Sequence, residues 1–213
     1  MRTQLLVIAK APVPGRVKTR LCPPCTPEQA AHIAAAALTD TLAAAGATVA
    51  VRHTIVLCGR YDPRPGWHLV PQRGEGLAAR LANGFVDTAR PGIGSVLIGM
   101  DTPQVTPTLL DAIAAGLSDG FDAVLGPAQD GGWWALALRD PTHAEALRAV
   151  PMSTMDTGAL TVAALRDRGL LVGFGAPLRD VDTAEDAWQV AEHCPNGAFA
   201  AAVHRHVPHG VTR

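Results

Sequence analysis

The sequence predicts an α/β fold built on a parallel or mostly parallel sheet. Three observations lead there. Short apolar, strand-like runs alternate along the chain with helical stretches. Helix starts are marked by a capping residue followed by proline. The 213 residues are 48% hydrophobic and only 17% charged, so the chain can form a full α/β core and is not disordered.

The elements follow in order. Gln4 to Ala9 is the first strand. Thr26-Pro27-Glu28-Gln29 opens a helix: Thr26 caps it, Pro27 suits the first position and Gln29 completes a capping box. That helix runs to about Ala45 and stops at Gly46. A strand near Thr54 to Leu57 ends at Gly59, and Tyr61 to Gly66, with two prolines and a glycine, is a loop. A helix from about Gly76 to Ala89 precedes the turn Pro91-Gly92. Ser95 to Met100 is a buried strand ending at Asp101, and Thr106-Pro107 starts a helix to about Leu117. Strands at Phe121 to Leu125 and Trp133 to Leu138 flank the loop Gly126 to Gly132. Helices near His143 to Val150 and Asp156 to Arg168 come next. Strands near Leu170 to Phe174 and Leu178 to Val181 lead into a helix from Thr183 to His193. Residues 1–194 read as a single domain and residues 195–213 as a weakly structured tail.

Composition excludes several classes of function. Lys and Arg number 18 against 19 Asp and Glu, a net charge of −1, which lacks the basic excess of a duplex nucleic-acid binder. Aromatics are 4%, too few for base-stacking platforms. The apolar run Leu5 to Ala9 is too short for a signal-peptide core. His32, Asp40 and Gly46 interrupt the Ala-rich stretch Ala30 to Val51, so no membrane span is expected. Four cysteines in a chain this long do not make a disulfide scaffold, and a reducing cytoplasm is the expected location.

Four segments carry candidate chemistry. The loop after the first strand brings Lys10, Arg16, Lys18 and Arg20 together with Gly15 and no acid, which suits a di- or triphosphate at the carboxyl end of a strand; a solvated basic loop is the competing reading. Gly99-Met100-Asp101-Thr102-Pro103 delivers Asp101 from a buried strand, a good way to hold a hard divalent cation, Mg²⁺ or Mn²⁺, with phosphates and water completing the shell. Capping of the turn before Pro103 is the alternative. In Asp180-Val181-Asp182-Thr183, Asp182 is a second candidate metal ligand or an acid favouring a helix start, while Asp186 is read as the capping-box partner of Thr183. In Asp130-Gly131-Gly132-Trp133, Asp130 is a candidate general base or acceptor-hydroxyl ligand, the glycines permit close backbone approach, and Trp133 or Trp134 walls an acceptor pocket; a plain hairpin turn is the alternative. Gln72 and Arg73, at a helix start, are further candidates for the nucleotide. Cys22-Pro-Pro-Cys25 has redox spacing but lacks a partner pair, and His204, His206 and His209 are read as inert.

These segments together resemble a family of small bacterial glycosyltransferase-A-type proteins, related in fold to molybdenum-cofactor guanylyltransferase and other nucleotide-diphospho-sugar transferases. The resemblance rests on Lys10 with Pro14-Gly15-Arg16-Val17-Lys18-Thr19-Arg20-Leu21, on Gly99 to Pro103, on Gly126-Pro127 with Asp130-Gly131-Gly132, and on Val181-Asp182-Thr183. It implies a three-layer α/β/α sandwich, with Asp101 as the metal-binding acid and the basic loop on the nucleotide. The chain departs from the family in having Trp133 where Tyr is common and Met152-Ser153-Thr154 where Trp-Ser-Thr is common, both on the acceptor side.

The implied function is a metal-dependent glycosyltransferase taking a nucleotide-activated sugar donor and a small-molecule acceptor. Lys18 and the metal would stabilise the leaving group. Two alternatives stand beside it: a nucleotidyltransferase that joins a nucleoside triphosphate to a phosphorylated acceptor and releases pyrophosphate, and a non-catalytic nucleotide-binding protein.

Overall fold

The computed structural model describes residues 1–62 and 65–208. Seven strands form one sheet: β1 (Thr3–Lys10), β2 (His53–Cys58), β3 (Trp67–Pro71), β4 (Gly94–Gly99), β5 (Ala123–Pro127), β6 (Trp133–Leu138) and β7 (Val172–Phe174). Their spatial order is β3-β2-β1-β4-β6-β5-β7. Only β6 runs against its neighbours, β4 and β5; the remaining pairs are parallel. Six helices accompany them: α1 (Pro27–Gly46), α2 (Gly76–Thr88), α3 (Pro107–Ser118), α4 (Thr157–Arg166), α5 (Ala184–His193) and α6 (Ala198–His206).

A parallel sheet covered on both faces needs apolar side chains on both, and β1 supplies them. Leu5, Val7 and Ala9 join the core that holds α1 and α3, while Leu6 packs in the opposite core with α2 and α4. α1 is alanine-rich because it is buried from two sides. Ala31, Ala34, Leu38 and Leu42 meet the sheet, and Ala30, Ile33 and Ala37 meet a third cluster formed with α5 and α6. The expected capping box at Thr26 and Gln29 forms, as does the one at Thr183 and Asp186.

The chain enters β2 on one side of β1 and β4 on the other, so the crevice between the carboxyl ends of β1 and β4 is the topological switch point of the sheet. β5 and β7 run in the same sense as β4. Lys10, Asp101, the β5–β6 turn and the segment after β7 therefore all leave the sheet at one edge.

The structure differs from the sequence reading in several elements. β3 was not foreseen: it is a half-exposed edge strand ending at a proline, without the buried alternation that marks inner strands. Residues 178–181 form no strand, only an isolated bridge between Ala128 and Leu178. The helix expected at His143 to Val150 is a 3-10 helix, Pro141–Ala149, in which Glu145 and Arg148 eclipse and pair at 2.5 Å. The tail contains α6, with Phe199, Ala200 and Val203 buried against α1. Its start was hidden because its cap is remote: the Asp40 carboxylate of α1 accepts the amides of Ala198 and Phe199 at 3.0 and 2.8 Å. Residues 63 and 64 of the expected loop, and His209 with the rest of the tail, lie outside the described residues. Among the described helices, none is long and apolar enough to cross a membrane.

Phe199→Ala is expected to lower stability by about 3–5 kcal/mol in urea denaturation, whereas an unpacked tail would leave the midpoint unmoved. A second expectation concerns pH. His53, at the start of β2 with its ring 5.3 Å from Trp67, has its pKa lowered by burial, only partly opposed by a hydrogen bond to the Ala45 carbonyl. The folded state then binds fewer protons than the unfolded chain, so stability falls as pH drops below about 6.5. In melting curves from pH 7.5 to 5, His53→Gln should make that decline shallower.

Candidate active site

The loop after β1 is pinned by two apolar anchors. Val17 is buried in the α1–α3 core and Leu21 in the α5–α6 cluster. Between them Lys18 adopts a left-handed conformation, φ 48°, uncommon for a side-chain-bearing residue. Its side chain is only 7% exposed and its Nζ lies 2.5 Å from Asp101 Oδ1 and 4.0 Å from Asp182 Oδ1. The same ammonium donates to the Val181 carbonyl. Arg20 closes on Asp182 at 2.8 Å.

Asp101 stands just beyond β4, after Met100, whose buried sulfur accepts the Lys10 amide at 3.3 Å. The Val181 amide donates to the Asp101 carbonyl at 3.0 Å, and Val181 is itself buried. That tie carries its neighbours Asp180 and Asp182 to the end of β4. Both line the same cleft as Asp101, Asp130, Lys10, Arg16, Lys18 and Arg20. The cleft has a volume of about 790 Å³, within the usual range for small-molecule sites.

Asp180 is the residue that the sequence reading passed over. Burial first, and then the charges of Asp101, Asp130 and Asp182, push its carboxyl up to about 7 against a partial opposing pull from Lys18. The acid–Val–acid alternation around a buried Val181 was the available signal. Arg80 of α2 also lines the cleft and was not foreseen.

Other predicted residues are placed differently. Arg73 does not line the cleft; it forms a two-point pair with Asp87 at 2.5 and 2.6 Å. Gln72 does line it, but its amide nitrogen bridges the Ala9 and Val56 carbonyls at 2.8 and 3.0 Å, tying β1 to β2. Gly15, φ 73°, turns the basic loop outside the cleft wall. Gly131 is also outside it, and its missing side chain serves packing: a Cβ there would sit 2.0 Å from the Met155 carbonyl oxygen. Gly132 and Trp133 do line the cleft. Asp130 Oδ1 accepts the Gly132 amide at 2.8 Å, and the Trp133 indole donates to Thr161 at 3.2 Å. Trp134 also reaches the cleft wall, but it is mainly a core residue, 2% exposed, with its indole on the Ala176 carbonyl. All four cysteines are free thiols.

The donor set fits a hard divalent cation. Asp101, Asp180 and Asp182 offer carboxylate oxygens, and an ammonium already sits against two of them. The hydroxyl of Thr102, buried beside Asp101 in the cleft, has no hydrogen-bond partner. Among the described residues no three acids, histidines or cysteines are gathered tightly enough to hold a metal alone, so phosphates and water would complete the shell.

The fold is that of the nucleotide-diphospho-sugar transferases and nucleotidyltransferases. Within that class, residues 29–154 match the family described as uncharacterized proteins conserved in bacteria, DUF2064, and the chain belongs to it. It is 29% identical to a protein of Sphaerobacter thermophilus named phosphoenolpyruvate guanylyltransferase, over 91% of this chain and 97% of that one. A Desulfovibrio desulfuricans G20 structure, described by name as a nucleotide-diphospho-sugar transferase, superposes with a TM-score of 0.86 at 24% identity, covering 96% of this chain and 95% of that one. The Mycobacterium tuberculosis H37Rv protein Rv0371c, in complex with manganese, superposes with a TM-score of 0.53 at 23% identity, covering 90% of this chain and all of that one.

Two glycines separate packing from turn geometry. Gly131→Ala places its Cβ against rigid backbone and should lower the urea midpoint sharply while disturbing the Met152–Thr157 wall. Gly15→Ala, with nothing within 4 Å of the added carbon, should cost only the left-handed penalty, roughly 1–2 kcal/mol.

Proposed function

We propose that the protein is a metal-dependent nucleotidyltransferase: an oxygen of an acceptor phosphate attacks the α-phosphorus of a nucleoside triphosphate, the bond to the β-phosphate oxygen breaks, and pyrophosphate leaves. The observation that carries the reading is the meeting of Lys18, Asp101 and Asp182 at one point within a cleft rimmed by further cations. Support for nucleotidyl rather than glycosyl transfer comes from the Sphaerobacter relative, named for guanylyl transfer and similar over nearly its whole length. That reverses the order in which the sequence resemblance set the two reactions.

Among the described residues Lys10 and Arg16 form no ion pair, so both can meet the β- and γ-phosphates. Lys18 faces the point where charge develops as pyrophosphate departs. Asp101, Asp180 and Asp182 would hold Mg²⁺ or Mn²⁺; the manganese complex of the mycobacterial structure is in keeping with this. When bound, the ion supplies Lewis-acid stabilisation of the phosphoryl oxygens. Asp130, on the β5–β6 turn, is assigned to acceptor hydroxyls.

The test is a thermal-shift screen of nucleoside triphosphates and nucleotide sugars with Mg²⁺ or Mn²⁺, followed by assay of pyrophosphate. A ligand at 100 times its Kd should stabilise by about 2.7 kcal/mol. Asp101→Asn should remove metal-dependent pyrophosphate release by about 10²-fold or more while keeping the fold. Release of nucleoside diphosphate from a nucleotide sugar, without pyrophosphate from any triphosphate, would overturn the reading in favour of glycosyl transfer.

A further inference from the structure

The two halves of the cleft differ in charge. Its cations come from residues 10–20 and from Arg80, whereas the lining contributed by residues 130–157 contains no Lys, Arg or His. From this we infer the class of acceptor: a phosphomonoester whose body, apart from the reacting phosphate, is uncharged and hydroxylated, such as a sugar phosphate, and not a phosphorylated carboxylic acid. The inference rests on the nucleotidyl-transfer reading and specifies the acceptor for that same site.

An anionic group is held best by charged donors that replace its water, and this wall supplies none. The arginines of the surrounding elements are engaged: Arg139 with Asp122, Arg148 with Glu145, and Arg179 with Asp186. The start of α4 would otherwise be an anion site, yet its first two amides, and those of Thr154 and Asp156 before them, are engaged. The Thr154 and Asp156 amides donate to the Thr157 and Thr154 hydroxyls at 3.1 and 3.3 Å. Those of Thr157 and Gly158 go to the carbonyls of Thr154 and Gly131 at 3.2 and 2.8 Å. On the turn opposite, the Gly132 amide is held by Asp130. A second carboxylate on the acceptor would meet no cation there and would face Asp130, a like charge.

What the wall does offer suits a neutral ring. The Trp133 indole is fixed in orientation by Thr161, and the thioethers of Met152 and Met155 line the cleft beside it. Asp130 and the Ser153 hydroxyl supply polar contacts for hydroxyl groups. A mostly apolar lining with a few placed polar groups is the usual composition of a site for an uncharged ligand body.

The test measures binding separately from turnover. Isothermal titration is done with Mg²⁺ and the α,β-methylene analogue of the nucleotide that stabilises the protein most, comparing glucose 1-phosphate with phosphoenolpyruvate. Glucose 1-phosphate is expected to bind at least tenfold more tightly. Met155→Lys, which adds a cation at a side chain 84% exposed, should narrow that ratio severalfold by raising affinity for phosphoenolpyruvate. Equal or tighter binding of phosphoenolpyruvate by the unaltered protein, or absence of discrimination, overturns the inference. Failure of the nucleotidyl-transfer reading has a different signature: the binding preference persists but no triphosphate yields pyrophosphate.

Discussion

A buried ammonium can exist in a protein only where charge and hydrogen-bond partners replace its lost water, and Lys18 has both. The Asp101 and Asp182 carboxylates and the Val181 carbonyl surround its Nζ. Three segments far apart in sequence must therefore be in register: the loop after β1, the end of β4 and the stretch after β7. Removing one partner of such a group leaves an uncompensated charge, which is far more damaging than replacing the whole set with apolar residues. The left-handed backbone at Lys18 belongs to the same constraint. It aims the side chain inward while Val17 and Leu21 fix both ends of the loop.

Around that point the charges are segregated. The chain as a whole is nearly neutral, yet one half of the cleft collects cations, the centre collects carboxylates and the far half carries a single acid, Asp130. Such sorting sets the acids against one another, and burial together with that repulsion raises the Asp180 carboxyl. A surface selected only for solubility would intersperse the two signs. Sorting of this kind is instead suited to a ligand that is itself polarised, anionic at one end and neutral at the other.

Much of this was legible in the sequence because it depends on local rules. Buried strands ending abruptly in Asp101, and capping residues before Pro27 and Pro107, encode their geometry in a few neighbouring positions. What could not be read was determined at a distance. The cap of α6 is Asp40, on another helix. Arg73 resembled a nucleotide ligand until α2 placed Asp87 beside it. Gly131 has the conformational freedom of a turn glycine, φ 90°, but its lack of a side chain is required by Met155. Asp182 was expected at a strand end, whereas the segment is held without a strand by the Val181–Asp101 bond. That bond is what brings in Asp180 as well.

The same segregation bears on how the centre would fill under the proposed reading. Asp101 and Asp182 remain 46% and 42% exposed, and no three ligands converge on one point among the described residues. Mg²⁺ requires six oxygens in near-ideal octahedral geometry and usually draws several from phosphate and water. Carboxylates alone would therefore bind it weakly here, with Lys18 competing for the same oxygens. A triphosphate gives Lys18 an alternative anion, relaxing its hold on Asp101, and brings the missing oxygens with it. Metal and nucleotide affinity must then be coupled, each raising the other by the same factor. Under that reading the Lys18 ammonium, which ties the loop after β1 to Asp101 and Asp182, is also the group that would make the two ligands arrive as a pair.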